Sequence, residues 1–263
     1  MTTLAHLSDL HLGHAPGVER RLGLVVDAAR SADVVLVTGD LTEGGRDDEL
    51  AVFRACCAPL GDRLVVLPGN HDRCGDDVGS RLMDGARVDV VRRPGCTIVR
   101  IDSTAPHNKV FWLSHGRLCE RVLAQVEAAL SQAPSDELVV VALHHHLVPL
   151  PAEGFWEHVS ELLFLPNHTE LGLGRELLKV VRGRADLVLH GHRHVPRQFV
   201  IDAEGARPLR VYNAGSTTGL GAFRTFHFDG PKLMQAPQWT HVVPGPRPGW
   251  HVQHVAPLAL TLA

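Results

Sequence analysis

Short apolar runs that end at metal-binding side chains set the strongest limit on what this chain can fold into. Residues 34–37 read Val-Val-Leu-Val and stop at Gly39-Asp40. Residues 64–67 read Leu-Val-Val-Leu and stop, after Pro68, at Gly69-Asn70-His71-Asp72. Residues 138–143 run into His144-His145-His146, and 187–189 into His190-Gly191-His192-Arg193-His194. A shorter run, 3–7, leads into Ser8-Asp9-Leu10-His11. Runs without polar interruption and rich in β-branched residues read as strands buried on both faces, which belong to α/β folds.

Between these strands the apolar spacing is helical. Leu22, Val25, Val26 and Ala29 share one face, as do Leu50, Phe53 and Cys57 within 47–60. Leu118, Val122, Val126 and Ala129 stripe a helix over 116–132, and 176–182 closes another. Residues 88–91 and 97–102 read as further strands. After residue 195 the pattern turns to short strands at 199–202, 209–212, 223–228, 239–243 and 250–255, the mark of an antiparallel, meander-like sheet. Residues 103–115 lack periodicity. Residues 147–168 hold Pro149, Pro151 and Pro166 and read as a loop or lid with a short helix.

With 263 residues the chain has the length for one sizeable core, and a single domain over 1–263 is the expectation. A hydrophobic fraction of 44% with 21% charged residues fits a soluble globule. A net charge of -3 argues against general attraction to nucleic acid or an anionic membrane. The five cysteines form no C-x-x-C pair, which fits a reducing compartment. Neither a signal-like N-terminus nor an apolar run of membrane-spanning length is read, so the cytoplasm is expected.

Asp9 and His11 stand two apart, so in an extended segment both project to one side and could reach one ion. Asp40 after Gly39 is a bridging carboxylate on one reading and a turn or helix cap on the other. In Gly69-Asn70-His71-Asp72, Asn70 offers a neutral amide oxygen to a metal and His71 a proton to a substrate. Asp72 would accept from the His71 ring and fix its tautomer. Of three consecutive histidines, at most two can face one site. His192 and His194 again share the two-residue spacing, with Arg193 pointing away.

At these residues the chain resembles the calcineurin-like metallophosphoesterase family, whose signature runs D-x-H, GD, GNH[DE], a His after a strand, and GHxH. The resemblance covers about residues 4–219, including Asn213-Ala214-Gly215-Ser216. The fourth motif reads His-His-His-Leu where His-His-Pro is usual, which leaves His144 and His145 both open as ligand. The last motif carries Arg193 where Thr is frequent. The resemblance implies a four-layer sandwich of two mixed β-sheets flanked by helices. It implies that Asp9, His11, Asp40 and His194 hold one metal, and that Asp40 bridges to a second completed by Asn70, His144 and His192. Two divalent or mixed-valence transition-metal ions are implied, Mn, Fe or Zn foremost, and no organic cofactor. His71 and Asp72 would be the catalytic residues.

The activity implied is hydrolysis of phosphodiester bonds in a small-molecule phosphate ester by a hydroxide bridging the ions. The wording is similar to the class III cyclic-nucleotide phosphodiesterase branch. The alternatives are a phosphomonoesterase, a nucleotide or lipid-sugar pyrophosphohydrolase, and a non-catalytic scaffold, against which the complete motifs argue. Two regions bear on substrate choice. Residues 103–115 carry His107, Asn108, Phe111, Trp112 and His115, and 147–168 carry Phe155, Trp156 and His158; they read either as a satellite core or as a rim for a base or acyl chain. Arg73 could contact a phosphate or simply be solvated.

Overall fold

The computed structural model describes residues 1–110, 113–147, 171–201 and 208–243. Its first sheet is built from β1 (Thr2–Leu7), β2 (Val34–Thr38) and β3 (Leu64–Leu67), joined by β10 (Ala222–Asp229), β11 (Lys232–Leu233) and β12 (Gln238–His241). The order is β11-β10-β1-β2-β3, with β12 also on β10. The second sheet holds β4 (Val88–Arg93), β5 (Cys96–Ile101), β6 (Leu138–Ala142), β7 (Leu187–His190), β8 (Arg197–Ile201) and β9 (Leu209–Asn213), in the order β4-β5-β6-β7-β9-β8. Both sheets are mixed. Strands β1, β2 and β3 run parallel, as do β5, β6, β7 and β9, while β10, β4 and β8 run antiparallel to their neighbours.

The apolar runs explain the layering. Along β2, Val34 and Leu36 face the second sheet, and Val35 and Val37 face outward to the helices α1 (Val18–Ala29) and α2 (Asp47–Cys57). Along β6, Val140 faces the first sheet, and Val139 and Val141 meet α3 (Glu120–Ser131) and α4 (Gly174–Val181). A strand with a helix layer on one side and a sheet on the other has no solvent face, so each of its residues is apolar. Leu4, Leu67, Ile98, Leu138, Leu189, Phe226 and Phe228 fill the space between the sheets. Each such buried side chain contributes about 1.5–3 kcal/mol by its removal from water. The layers are thus helix, sheet, sheet, helix.

Helix α2 is pinned at its start by Glu49, which accepts from the backbone N–H of Arg46 at 3.2 Å and of Gly44 at 2.9 Å. Helix α1 begins after Gly17, whose φ of 86° lies in the left-handed region. The strands after residue 195 do not form one meander. Strand β9 pairs in parallel with β7, and β10 crosses to the first sheet beside β1. The expected strand at 250–255 and the 147–168 segment, apart from Leu147, lie outside the described residues.

Candidate metal centre

Parallel register brings the ends of five strands to one edge. Leu7 stands opposite Val37 and Thr38 opposite Leu67 in the first sheet. In the second, Ala142 stands opposite Leu189 and His190 opposite Asn213. The loops that follow therefore converge. The Asp9–His11 backbone is fixed by the second of them, since Asp9 N donates to the Gly39 carbonyl at 3.1 Å and Leu10 N to that of Asp40 at 2.8 Å. From the other sheet Ser216 Oγ donates to the Asp9 carbonyl at 2.8 Å, and Thr218 Oγ1 to that of Leu10 at 2.8 Å. Asn213-Ala214-Gly215-Ser216 thus opens a short α5 (Thr217–Leu220) whose hydroxyls hold the first motif in place.

Four of the seven expected ligands adopt left-handed backbone: Asp9 at φ 52°, His11 at 49°, Asp40 at 49° and His192 at 70°. For a residue with a Cβ this costs on the order of 1–3 kcal/mol and persists only where surrounding contacts enforce it. Two glycines make the crowding feasible. A Cβ on Gly39 would stand 2.6 Å from His144 Nδ1, and one on Gly69 would collide with the Asp40 carboxylate.

All seven side chains meet in one cluster. Asp9, His11 and His194 offer atoms within 4.8 Å of one another, as do Asp9, Asp40 and His144, and also His11, Asp40 and His71. Asn70 Oδ1 lies 2.9 Å from His192 Nδ1 and 3.0 Å from His144 Nε2. His194 Nε2 stands 3.1 Å from His11 Nε2 and 3.7 Å from Asp9 Oδ1.

The tautomers decide what this crowding means. A carbonyl oxygen only accepts, so His144 Nδ1 donates to Thr38 O at 2.8 Å. His144 Nε2 then turns a lone pair toward Asn70 Oδ1 and toward Asp40 Oδ2, 3.3 Å away. Likewise His11 Nδ1 donates to the Glu43 carboxylate at 2.8 Å and turns its Nε2 to His194. Lone pairs and carboxylates converging in a buried space repel unless positive charge sits among them. Protonation shows the same demand. Burial pushes the His144 and His11 rings down, but the Asp40 and Asp9 carboxylates, and Glu43 for His11, outweigh it and raise both to about 9. Asp40, although buried, is held well below the carboxylate range by His144, His71 and His11. Asp9 is raised, burial being its largest cause. The donor set, two carboxylates, an amide oxygen and four imidazoles, fits borderline transition-metal ions.

Each remaining reading receives an answer in geometry. Of the histidine triplet, His144 turns into the cluster. His145 turns away, its Nδ1 2.8 Å from Ser103 Oγ and its Nε2 donating to the Ser114 carbonyl at 2.8 Å. His146 stacks on His192 with ring centroids 5.8 Å apart. His71 Nδ1 donates to the Glu43 carbonyl at 2.9 Å. The expected bond from the His71 ring to Asp72 is therefore corrected. The buried Asp72 carboxylate accepts instead from Leu41 N, Thr42 N, Thr42 Oγ1 and Gly69 N at 2.7–3.2 Å. In a 3-10 turn at His71–Arg73, adjacent side chains diverge, and Asp72 points into the loops while His71 points out. Burial and the nearby Asp40 charge raise its pKa against those donors.

Arg73 is neither solvated nor free for phosphate, being paired with Asp77 at 2.7 Å and Asp102 at 3.7 Å. In the 103–115 segment, His107 and His115 stack with centroids 4.0 Å apart, and Asn108 Nδ2 donates to the Leu113 carbonyl at 2.6 Å. Phe111, Trp112, Phe155, Trp156 and His158 lie outside the described residues. Glu43 was missed by sequence reasoning. Its only signal was a carboxylate three residues after Asp40.

Two stacked mixed sheets with helices outside, and Asp, Asn and His gathered at their strand ends, form the architecture of the metallo-dependent phosphatases. The calcineurin-like phosphoesterase model matches residues 2–196, and the chain belongs to that family. A probable cyclic nucleotide phosphodiesterase of Rhodococcus erythropolis is 28% identical, over 73% of this chain and 64% of its own, so the match spans just under two thirds of that relative. The 3′,5′-cyclic adenosine monophosphate phosphodiesterase CpdA of Escherichia coli K12 is 33% identical over 71% of this chain and 72% of its own. A dimetal phosphatase from Danio rerio shares the fold, with a TM-score of 0.65 at 15% identity, covering 92% of this chain and 99% of that one.

Proposed function

We propose that the chain is a metal-dependent phosphodiesterase acting on a small phosphate ester of the cyclic-nucleotide class. In this reading Asp9, His11, Asp40 and His194 hold one divalent ion, and Asp40, Asn70, His144 and His192 a second. One observation carries it: buried lone pairs of seven side chains converge with Asp40 central, a pattern that only added positive charge relieves. Divalent ions held there would acidify water and neutralise phosphoryl charge. The names of the two relatives support the substrate class.

The chain's own residues supply the rest. Glu43 accepts from His11 Nδ1 and so keeps its Nε2 lone pair directed at the cluster. The Glu43 carbonyl fixes His71 Nδ1 as a donor, which leaves His71 Nε2 to hand a proton to the departing alkoxide. His71 lies at the rim, lining the cavity that opens onto the cluster.

The test is turnover. Protein stripped of metal and reloaded with manganese should hydrolyse bis-p-nitrophenyl phosphate and 3′,5′-cyclic AMP, and favour both over p-nitrophenyl phosphate. No turnover with any divalent metal rejects the proposal, and a preference for the monoester turns it into a phosphomonoesterase. His71→Ala should lose about 10²–10⁴-fold in kcat on cyclic AMP. The loss should be smaller on the nitrophenyl diester, whose leaving group needs no proton. Equal losses on both would remove His71 from that role.

A further inference from the structure

The cluster occupies one end of a larger cavity of about 410 Å³. His11, His71 and His194 line that end. From there the cavity extends between the segment 14–21 and the turn 216–220, where its walls are Ala15, Pro16, Val18 and Leu220. None of these side chains serves the cluster. The walls are nonetheless rigidly tied to it. Thr218 Oγ1 donates to the Leu10 carbonyl between Asp9 and His11, and Arg21 Nη1 donates to the Thr218 carbonyl at 2.6 Å. Helix α1 and the α5 turn therefore keep a set distance from the phosphoryl end.

Arg21 adds the second element. Its guanidinium lines the cavity and carries five N–H donors, of which the described structure commits one, with no carboxylate within ion-pair distance among the described residues. A phosphoryl group alone would leave most of the space empty, since about 300–1,000 Å³ suits a whole small molecule. An acyl chain would cover the apolar walls but strip water from Arg21 without repaying it. A second phosphate would suit Arg21 but meets apolar walls and the Glu43 carboxylate on the same lining. A body with apolar faces and acceptor atoms at its far edge satisfies both.

Resting on the phosphodiesterase reading, we propose that this trough holds the nucleoside part of the substrate, its rings against Pro16, Val18 and Leu220 and an acceptor of base or sugar on Arg21. The pocket makes Arg21 and Leu220 specificity-determining residues for a nucleotide ester.

The experiment is calorimetric titration of the manganese-supplemented protein with 5′-AMP and with inorganic phosphate. The wild type is expected to bind AMP at least about tenfold more tightly than phosphate. Leu220→Trp, which fills the trough, and Arg21→Ala should each weaken AMP about tenfold or more while phosphate stays within about twofold. The proposal is overturned if wild-type AMP binds no better than phosphate, or if both variants weaken the two ligands equally or leave both unchanged. Two unrelated substitutions cover the failure of either to fold. Loss of turnover on bis-p-nitrophenyl phosphate would count against the phosphodiesterase reading, whereas the ratio of the two affinities decides the pocket.

Discussion

Glu43 serves two histidines through different atoms, its carboxylate holding His11 Nδ1 and its backbone carbonyl holding His71 Nδ1. Removing the side chain separates the two. Glu43→Ala keeps the carbonyl, so it should weaken manganese binding about 10–100-fold, as loss of a partner behind a ligand does, and change kcat at saturating metal much less. Metal titration followed by activity at each concentration checks this. An unchanged metal constant would mean that His11 needs no such partner. Asp72 calls for the opposite expectation. Its carboxylate answers four donors from two loops, and an amide in its place turns N–H groups toward some of them. Each buried donor left unmet costs about 1–3 kcal/mol, so Asp72→Asn should lower Tm. Action through the tautomer of His71 would instead cut kcat at constant Tm.

At the scale of elements, strand ends were legible because strands buried on both faces read as uninterrupted apolar runs, as in 34–37 and 138–143. What followed each run was therefore placed before any coordinates. The side to which a residue turns just past a strand end was not. The choice between His144 and His145 depended on the Thr38 carbonyl and on Ser103, groups remote in sequence. Nor could spacing reveal that β9 and β10 part to different sheets, since short alternating strands carry no mark of their partner. The same closeness of loops yields a prediction. A methyl group on Gly69 collides with the Asp40 carboxylate. Because Asp40 N sits equally close behind that carboxylate, the β2 and β3 loops must part to relieve the clash. Gly69→Ala is therefore expected to keep its circular dichroism spectrum while activity falls by about 10²-fold or more, as misplacement near 1 Å does. Activity close to wild type would show that the two loops yield without disturbing Asp40.

For the whole molecule, the cluster is a joint between the two sheets. Asp9, His11, Asp40 and Asn70 follow strands of the first, and His144, His192 and His194 follow strands of the second. Elsewhere the sheets meet through apolar side chains, which attract without direction, so the polar edge has the least to hold it closed. At that edge buried acceptors face one another across the joint, His144 Nε2 to Asp40 Oδ2 at 3.3 Å and His194 Nε2 to Asp9 Oδ1 at 3.7 Å. Ions bound there would convert a repulsive seam into a cross-link. Binding to the folded state alone adds about 2.7 kcal/mol at a metal concentration 100 times Kd. A chelator should therefore lower Tm, added manganese should restore it, and Tm should climb with the logarithm of metal concentration. His194→Ala, which removes a donor from one side of the seam, should flatten that climb. A melting curve indifferent to chelator and metal alike would mean that the sheets close on their apolar faces alone and that no ion is held between them.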